Sequence, residues 1–352
     1  MTKRIVIMAG GTGGHIFPAL AVAQELIQAG WQVSWMGTRA GLESRIIPEN
    51  GIEIDWLSVS GVRGKGLLSK LTAMVNLLKS CFEAASILRA RRPDVVLGMG
   101  GFVAAPGGLM TKMLGIALII HDQNRVVGTT NRLLAKIATR VLEGFPNSFP
   151  PTYHAICTGN PLRSAIIEKA ASTHSNEHAC LNVLVVGGSQ GAKILNEIVP
   201  QALALLNMPL SICHQTGQAM QAQVSEHYAQ FAIQANVEAF IDDMASAYAW
   251  ADVIICRAGA MTVSEVAAMG LAAIFIPLPS AIDDHQTHNA NYLAQVNSAI
   301  IVEQAQLTPQ LLAQAVKTLC EDLTKRRAIA QSFAYLEATQ AVAKFCIAEA
   351  SA

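Results

Sequence analysis

The chain has 352 residues, 52% of them hydrophobic and only 14% charged, with 25 basic and 25 acidic side chains. That length is long for one hydrophobic core and predicts two domains. Zero net charge excludes a whole-protein field that gathers nucleic acid, and no apolar run reaches the roughly 18–20 residues of a membrane-spanning helix.

The first element is an apolar strand, residues 4–9, which meets glycines too soon to be a signal peptide. It enters Gly10-Gly11-Thr12-Gly13-Gly14-His15, and a helix is expected from about Ile16. Glycines ahead of a helix start bring backbone N–H groups and the positive dipole end close to a ligand. The loop is not a dinucleotide fingerprint. Ile16 stands where that motif needs a third small residue. The next strand, about 32–36, ends in Gly37-Thr38 with no acidic residue to hold a ribose.

An amphipathic stretch follows residues 61–66 and runs to about Arg92. Leu67, Leu71, Met74, Leu77, Leu78, Cys81 and Phe82 recur near helical spacing, among Arg63, Lys65, Lys70, Lys79, Arg89, Arg91 and Arg92. The pattern reads either as a core-facing helix with a basic outer face or as a membrane-surface element.

Buried strands are expected at 95–97, 117–120 and 140–142. Gly98-Met99-Gly100-Gly101 follows the first of these and His121-Asp122-Gln123-Asn124 the second. His121 fits a hydrogen-bonding support, whereas Asn124 both donates and accepts, as a sugar hydroxyl requires. A domain boundary is expected near Thr158-Gly159-Asn160-Pro161, and residues 171–180 read as a surface loop.

The second half repeats the plan. An apolar strand, 182–186, enters Gly187-Gly188-Ser189-Gln190-Gly191-Ala192, and a helix follows from about Lys193. Further strands are expected at 210–214, 236–240, 253–256 and 273–277. Asp242-Asp243 reads as the cap of a helix starting at Met244 rather than as a metal-binding pair. After Arg257-Ala258-Gly259 a helix is expected from Ala260, and its first N–H groups suit a diphosphate. Glu265, a turn and a half along, offers two oxygens to a ribose diol. Asp283-Asp284-His285 and His288 lack an evident third ligand for a metal, so they read as a polar cluster for a sugar and its diphosphate. Neither a metal nor a cofactor is expected. One long last helix is expected over about 325–350. Such βα alternation predicts parallel sheets, with ligands beyond the carboxyl ends of the strands. Seven scattered cysteines without a C-x-x-C pair read as reduced thiols that fill small core positions.

Taken in order, several strings resemble the MurG-type glycosyltransferases of peptidoglycan synthesis over nearly the whole chain. In the first half they are Gly10 to His15 with Pro18, residues 61–66, Gly98 to Gly101, His121 to Asn124, and Gly159-Asn160-Pro161-Leu162-Arg163. In the second they are Gly187 to Ala192, Phe240-Ile241-Asp242-Asp243-Met244, Arg257 to Glu265, and Asp284-His285-Gln286. The resemblance implies an α/β fold of the GT-B type, two Rossmann-like domains facing across a cleft. Residues 1–160 would form the acceptor- and membrane-facing domain and 161–336 the UDP-GlcNAc-binding domain. A last helix, about 337–352, would return to the first.

It also implies the reaction, an inverting transfer of GlcNAc from UDP-GlcNAc to O4 of MurNAc on undecaprenyl-pyrophosphoryl-MurNAc-pentapeptide. The protein would sit peripherally on the cytoplasmic face of the inner membrane, with other cell-wall and division proteins as partners and no nucleic acid. By the same resemblance, the backbone of Ile241 would read the uracil and Glu265 the ribose. Ser189 and the helix start at Ala260, Met261 and Thr262 would hold the diphosphate, with Arg163 reaching the phosphates, and Val263 and Ser264 would belong to the same substrate-binding stretch. Gln286 would bind the GlcNAc. Asn124 with Thr12, Gly13 and Gly14 would contact the sugar or the acceptor. Asp122 stands where the family commonly has Glu, and Ala258 where it commonly has Ser. His15 is the candidate base, because the positive end of its helix favours the neutral imidazole. The alternative is that His15 only hydrogen-bonds the diphosphate or the acceptor. Two rival readings stay open: a UDP-GlcNAc 2-epimerase of the same architecture, and a non-catalytic nucleotide-sugar-binding protein.

Overall fold

The computed structural model describes residues 2–59, 67–172, 180–188, 191–279 and 281–351, the stretch 67–74 and Ile282 by backbone alone. The chain forms two compact units, Met1–Arg163 with Tyr335–Ala352, and Ser164–Ala334. Unit 1 runs β1 (Arg4–Ala9), α1 (Gly13–Gln28), β2 (Gln32–Gly37), α2 (Glu43–Glu49), β3 (Glu53–Trp56), α3 (Leu67–Arg91), β4 (Val95–Gly100), α4 (Ala104–Leu114), β5 (Ala117–Asp122), α5 (Thr129–Leu134), β6 (Arg140–Glu143) and β7 (Ile156–Cys157). Unit 2 runs α6 (Ser164–Ser172), β8 (Leu181–Val186), α7 (Lys193–Ala204), β9 (Leu210–Gln215), α8 (Gln221–Gln230), β10 (Asn236–Glu238), α9 (Met244–Trp250), β11 (Val253–Cys256), α10 (Ala260–Ala268), β12 (Ala272–Phe275), α11 (His285–Ala294), β13 (Ala299–Ile301), α12 (Pro309–Glu321) and α13 (Leu323–Ser332). The final helix, α14 (Ala338–Glu349), belongs to unit 1.

Both sheets are parallel throughout, ordered β3-β2-β1-β4-β5-β6-β7 and β10-β9-β8-β11-β12-β13. The central strands are apolar without alternation because helices cover both faces. All six residues of β4 are buried, as are Ile5 to Ala9 of β1. In unit 1 the residues of α1, α2 and α14 share one core with the sheet. The other face is covered by α3, α4 and α5. Each fully buried Ile, Leu or Val contributes about 1.5–3 kcal/mol relative to exposure. Trp35 is fully buried and satisfies its ring N–H by donating to the Ala9 carbonyl at 2.8 Å, which ties down the end of β1.

Three expectations are corrected. The first helix starts at Gly13 rather than Ile16. Gly11, at φ +93°, completes the turn by itself, so His15 falls inside the first helical turn. The single last helix is two, broken over residues 333–337 where the chain passes from unit 2 to unit 1. Tyr292 holds the Phe333 carbonyl on one side of the break, and Tyr335 lies against Gly159 on the other. Strands β10 and β12 end two residues earlier than expected, and β3, β7 and β13 are short edge or near-edge strands that the apolar pattern did not reveal.

Candidate functional site

In a doubly wound sheet, ligands bind where the strand order reverses. Unit 1 reverses between β1 and β4, and the loops after these strands meet there. A Cβ on Gly101, at φ +81°, would stand 2.5 Å from the Gly10 carbonyl oxygen. At the start of α1 the His15 and Ile16 N–H groups both return to the Thr12 carbonyl, and the Thr12 side chain makes no cap bond. Gly13 and Gly14 therefore present the leading amides.

Behind this loop lies Glu43, fully buried. Its carboxylate accepts from Gly11 N at 3.0 Å, Thr38 N at 3.0 Å and Thr38 Oγ1 at 2.7 Å. The sequence reading missed this residue. Its signal was the set of glycines around it, since a Cβ at Gly10, Gly37 or Gly41 would collide with the Glu43 side chain.

His15 is half-buried, with its ring against Gly100, where a Cβ would come within 2.9 Å of Cε1 and Nδ1. Its Nδ1 lies 2.8 Å from Gln123 Oε1. Gln123 Nε2 lies 3.1 Å from His121 Nδ1, and His121 Nε2 lies 3.0 Å from the Gly159 carbonyl. Burial pushes His121 down to about 4, so it is neutral at pH 7. Asp122 accepts from Asn124 N, Gly128 N and Asn131 Nδ2 at 2.9–3.0 Å. A short carboxylate thus folds the loop that carries Asn124.

In unit 2 the order reverses between β8 and β11. Gly191, at φ +71°, fits because a Cβ would meet the Thr216 carbonyl at 1.9 Å. Gly259 precedes α10, and the first intrahelical bond runs from Val263 N to Gly259 O. The N–H groups of Ala260, Met261 and Thr262 therefore have no intrahelical partners, and no acidic side chain occupies that turn. Val263 is buried, and Ser264 Oγ returns to Ala260 O at 3.0 Å, so both brace the turn. Glu265 is buried and accepts from the Tyr248 hydroxyl at 3.0 Å, a partner the sequence did not reveal.

Gln286 Oε1 accepts from Ala258 N at 3.3 Å and Leu278 N at 3.0 Å, joining the loops after β11 and β12. Asn289 donates to the Ala258 carbonyl, and Arg257 holds the Ile276 and Pro277 carbonyls. Ile241 is buried in the loop after β10, on the wall of a cleft of about 570 Å³ beside Glu238 and Trp250. Asp243 caps α9 through Ser246 N at 3.0 Å, as expected, and hydrogen bonding by the Ser246 side chain, then by its backbone, holds the carboxyl below the usual range.

The structure thus groups the candidates in two sets. Thr12, Gly13, Gly14, His15 and Asn124 follow the strand ends of unit 1. Ile241, Ala260 to Glu265 and Gln286 follow those of unit 2. Arg163 closes the first segment of unit 1, its guanidinium 5.8 Å from the Phe17 ring centre. Ser189 lies outside the described residues, as do Arg63 and Lys65 and the side chain of Lys70.

Residues 5–143 match the glycosyltransferase family 28 N-terminal domain and 182–344 the family 28 C-terminal domain. A Methylococcus capsulatus protein named UDP-N-acetylglucosamine–N-acetylmuramyl-(pentapeptide) pyrophosphoryl-undecaprenol N-acetylglucosamine transferase is 55% identical, over all of both chains. A Psychromonas ingrahamii protein of the same name is 45% identical over 98% of each. The crystal structure of Acinetobacter baumannii MurG superposes with a TM-score of 0.85 at 43% identity, covering 98% of this chain and 99% of that one. A calicheamicin glycosyltransferase gives a TM-score of 0.72 at 15% identity, covering 100% and 99%, a likeness of fold alone. The two parallel sheets are those of a GT-B glycosyltransferase.

Proposed function

The chain belongs to glycosyltransferase family 28, and from that premise we infer that it transfers GlcNAc from UDP-GlcNAc to O4 of MurNAc on undecaprenyl-pyrophosphoryl-MurNAc-pentapeptide, a step of peptidoglycan synthesis. The observation that carries this reading is full-length identity of 45–55% to transferases of that name. The reaction inverts the anomeric carbon in one displacement. The acceptor O4 forms a bond to C1 while the bond from C1 to the diphosphate oxygen breaks. That electron pair leaves on UDP, and the O4 proton goes to a base.

We assign the donor to unit 2. The amides of Ala260, Met261 and Thr262 suit the diphosphate, whose charge grows as the bond breaks, and Ser189 and Arg163 would add to that hold. Glu265, held by Tyr248, suits the ribose diol, and the Ile241 backbone suits the uracil. Gln286 would face the GlcNAc. Unit 1 takes the acceptor, with Thr12, Gly13, Gly14 and Asn124 as contacts and His15 as the base.

A lipid-linked acceptor calls for contact with a bilayer, and among the described residues no helix is long and apolar enough to cross one. We assign peripheral binding, at the cytoplasmic face of the inner membrane, to the α3–α5 side of unit 1. There Phe82 is 78% exposed, Met113 77%, and Val75 and Leu133 60% each. Exposed Lys79, Lys112 and Lys136 lie in the same three-helix layer and its flank. Such a mix of apolar and cationic groups suits an anionic lipid surface. Replacing Phe82 and Met113 by Ser should lower co-sedimentation with anionic vesicles about tenfold or more. Unchanged co-sedimentation would rule out this face.

Purified protein, labelled UDP-GlcNAc and a lipid-linked MurNAc acceptor test the activity itself. Transfer that requires the acceptor is expected. Conversion of the donor without acceptor would favour an epimerase, and binding without turnover a non-catalytic protein.

A further inference from the structure

The chain of contacts behind His15 has only one consistent placement of protons, and it determines which ring nitrogen of His15 is bare. A carbonyl oxygen can only accept, so His121 Nε2, 3.0 Å from Gly159 O, carries a hydrogen. His121 is buried and neutral, so its Nδ1 is a bare acceptor. Gln123 must then turn its NH2 group toward His121, where Nε2 lies 3.1 Å from Nδ1 and 3.3 Å from the His121 carbonyl. The reversed amide would set its oxygen against those two acceptors. Gln123 Oε1 therefore faces His15 and requires a hydrogen on His15 Nδ1, 2.8 Å away.

The segment is anchored at both ends. Gln123 is 1% exposed and its carbonyl accepts from Asn160 Nδ2 at 3.0 Å. On the far side, Gly100 leaves the space that the His15 ring occupies.

We propose that Gly159, His121 and Gln123 form a hydrogen-bond relay that locks neutral His15 in the Nδ1–H tautomer and keeps Nε2 bare as the proton acceptor. Gln123 and His121 are positioning residues; neither touches the reacting atoms. The proposal rests on the reading of His15 as the base, and it gives that base a defined atom. A histidine freed from this relay spends part of its time with Nε2 protonated, and that form cannot take a proton there. In Ser-His-Asp hydrolases, loss of the group that sets the tautomer costs about 10⁴ in turnover.

The test is the long-range proton–nitrogen spectrum of full-length protein labelled with 15N-histidine, with His15 assigned by its disappearance in His15→Ala. The relay predicts a pyrrole-type Nδ1 and a pyridine-type Nε2 for the neutral His15 ring in the unsubstituted protein. Gln123→Met should convert this to a mixture and lower kcat about tenfold, with both KM values within twofold. A pyridine-type Nδ1 in the unsubstituted protein, or an unchanged tautomer in folded Gln123→Met, overturns the relay. The first criterion holds even if the variant fails to fold. The base reading fails separately: the tautomer would shift in Gln123→Met while kcat stayed constant.

Discussion

The two crevices share a plan and differ in what lies behind the loop. Each has a glycine-rich turn after the first strand of its sheet, a helix start, and a second loop across the point of strand reversal. In unit 1 a buried carboxylate, Glu43, backs the loop and holds the Gly11 amide. In unit 2 neutral amides do the bracing: Asn196 holds the Thr216 carbonyl, Gln286 the Ala258 amide and Asn289 its carbonyl. Arg257 adds a cation behind the start of α10. Helix dipoles favour an anion at both starts. A carboxylate behind a loop, however, disfavours a diphosphate seated on that loop. This difference in backing agrees with the proposed assignment of the diphosphate to unit 2 and of proton transfer to unit 1.

The comparison can be broken most sharply at His15. His15→Ala should lower kcat by about 10²–10³ at saturating donor and acceptor, as expected for loss of a general base. Steady-state rates check this, and turnover within threefold of the unsubstituted enzyme would remove His15 from the chemistry. Next in size is Glu265→Gln. Loss of a charged acceptor should weaken donor binding about tenfold, since hydrogen bonds to charged groups contribute about 1.5–3 kcal/mol. The acceptor KM should not move, and a change there would place Glu265 on the wrong side of the division.

Glu43→Gln turns an amide NH2 toward the donors that now converge on its carboxylate. It should cost about 1–3 kcal/mol, read as faster hydrogen exchange confined to unit 1. Protection lost equally in unit 2 would show that the loops are not independently supported. The smallest effect belongs to Tyr248→Phe, which removes the hydroxyl that holds Glu265 and should weaken donor binding only several-fold. An effect as large as that of Glu265→Gln would mean that Tyr248 itself meets the donor.

Much of this was legible in the chain. The apolar runs at 4–9, 95–97, 182–186 and 253–256 located the central strands, because strands covered on both faces carry polar residues only near their starts, Arg4 and Asn182 here. The glycine loops marked the point of strand reversal in both sheets. What stayed hidden was the long-range polar partnership. Glu43 lies 32 residues from Gly11 in sequence, and Gln123 lies 108 from His15. For Glu43 only the glycines that make room for its side chain hinted at burial, and no local pattern distinguishes Gln123 from a surface polar group. Pairs like Tyr248 and Glu265 became visible only once α9 and α10 were placed on one sheet. The edge strands β7 and β13 escaped because two or three residues carry no periodicity.

The division of labour between the two units is tested most directly by calorimetric titration of UDP into His15→Ala and Glu265→Gln. The account predicts that His15→Ala binds UDP within twofold of the unsubstituted enzyme while Glu265→Gln binds about tenfold more weakly. If His15→Ala loses UDP affinity as severely as Glu265→Gln does, the first loop holds the nucleotide after all and the account is wrong.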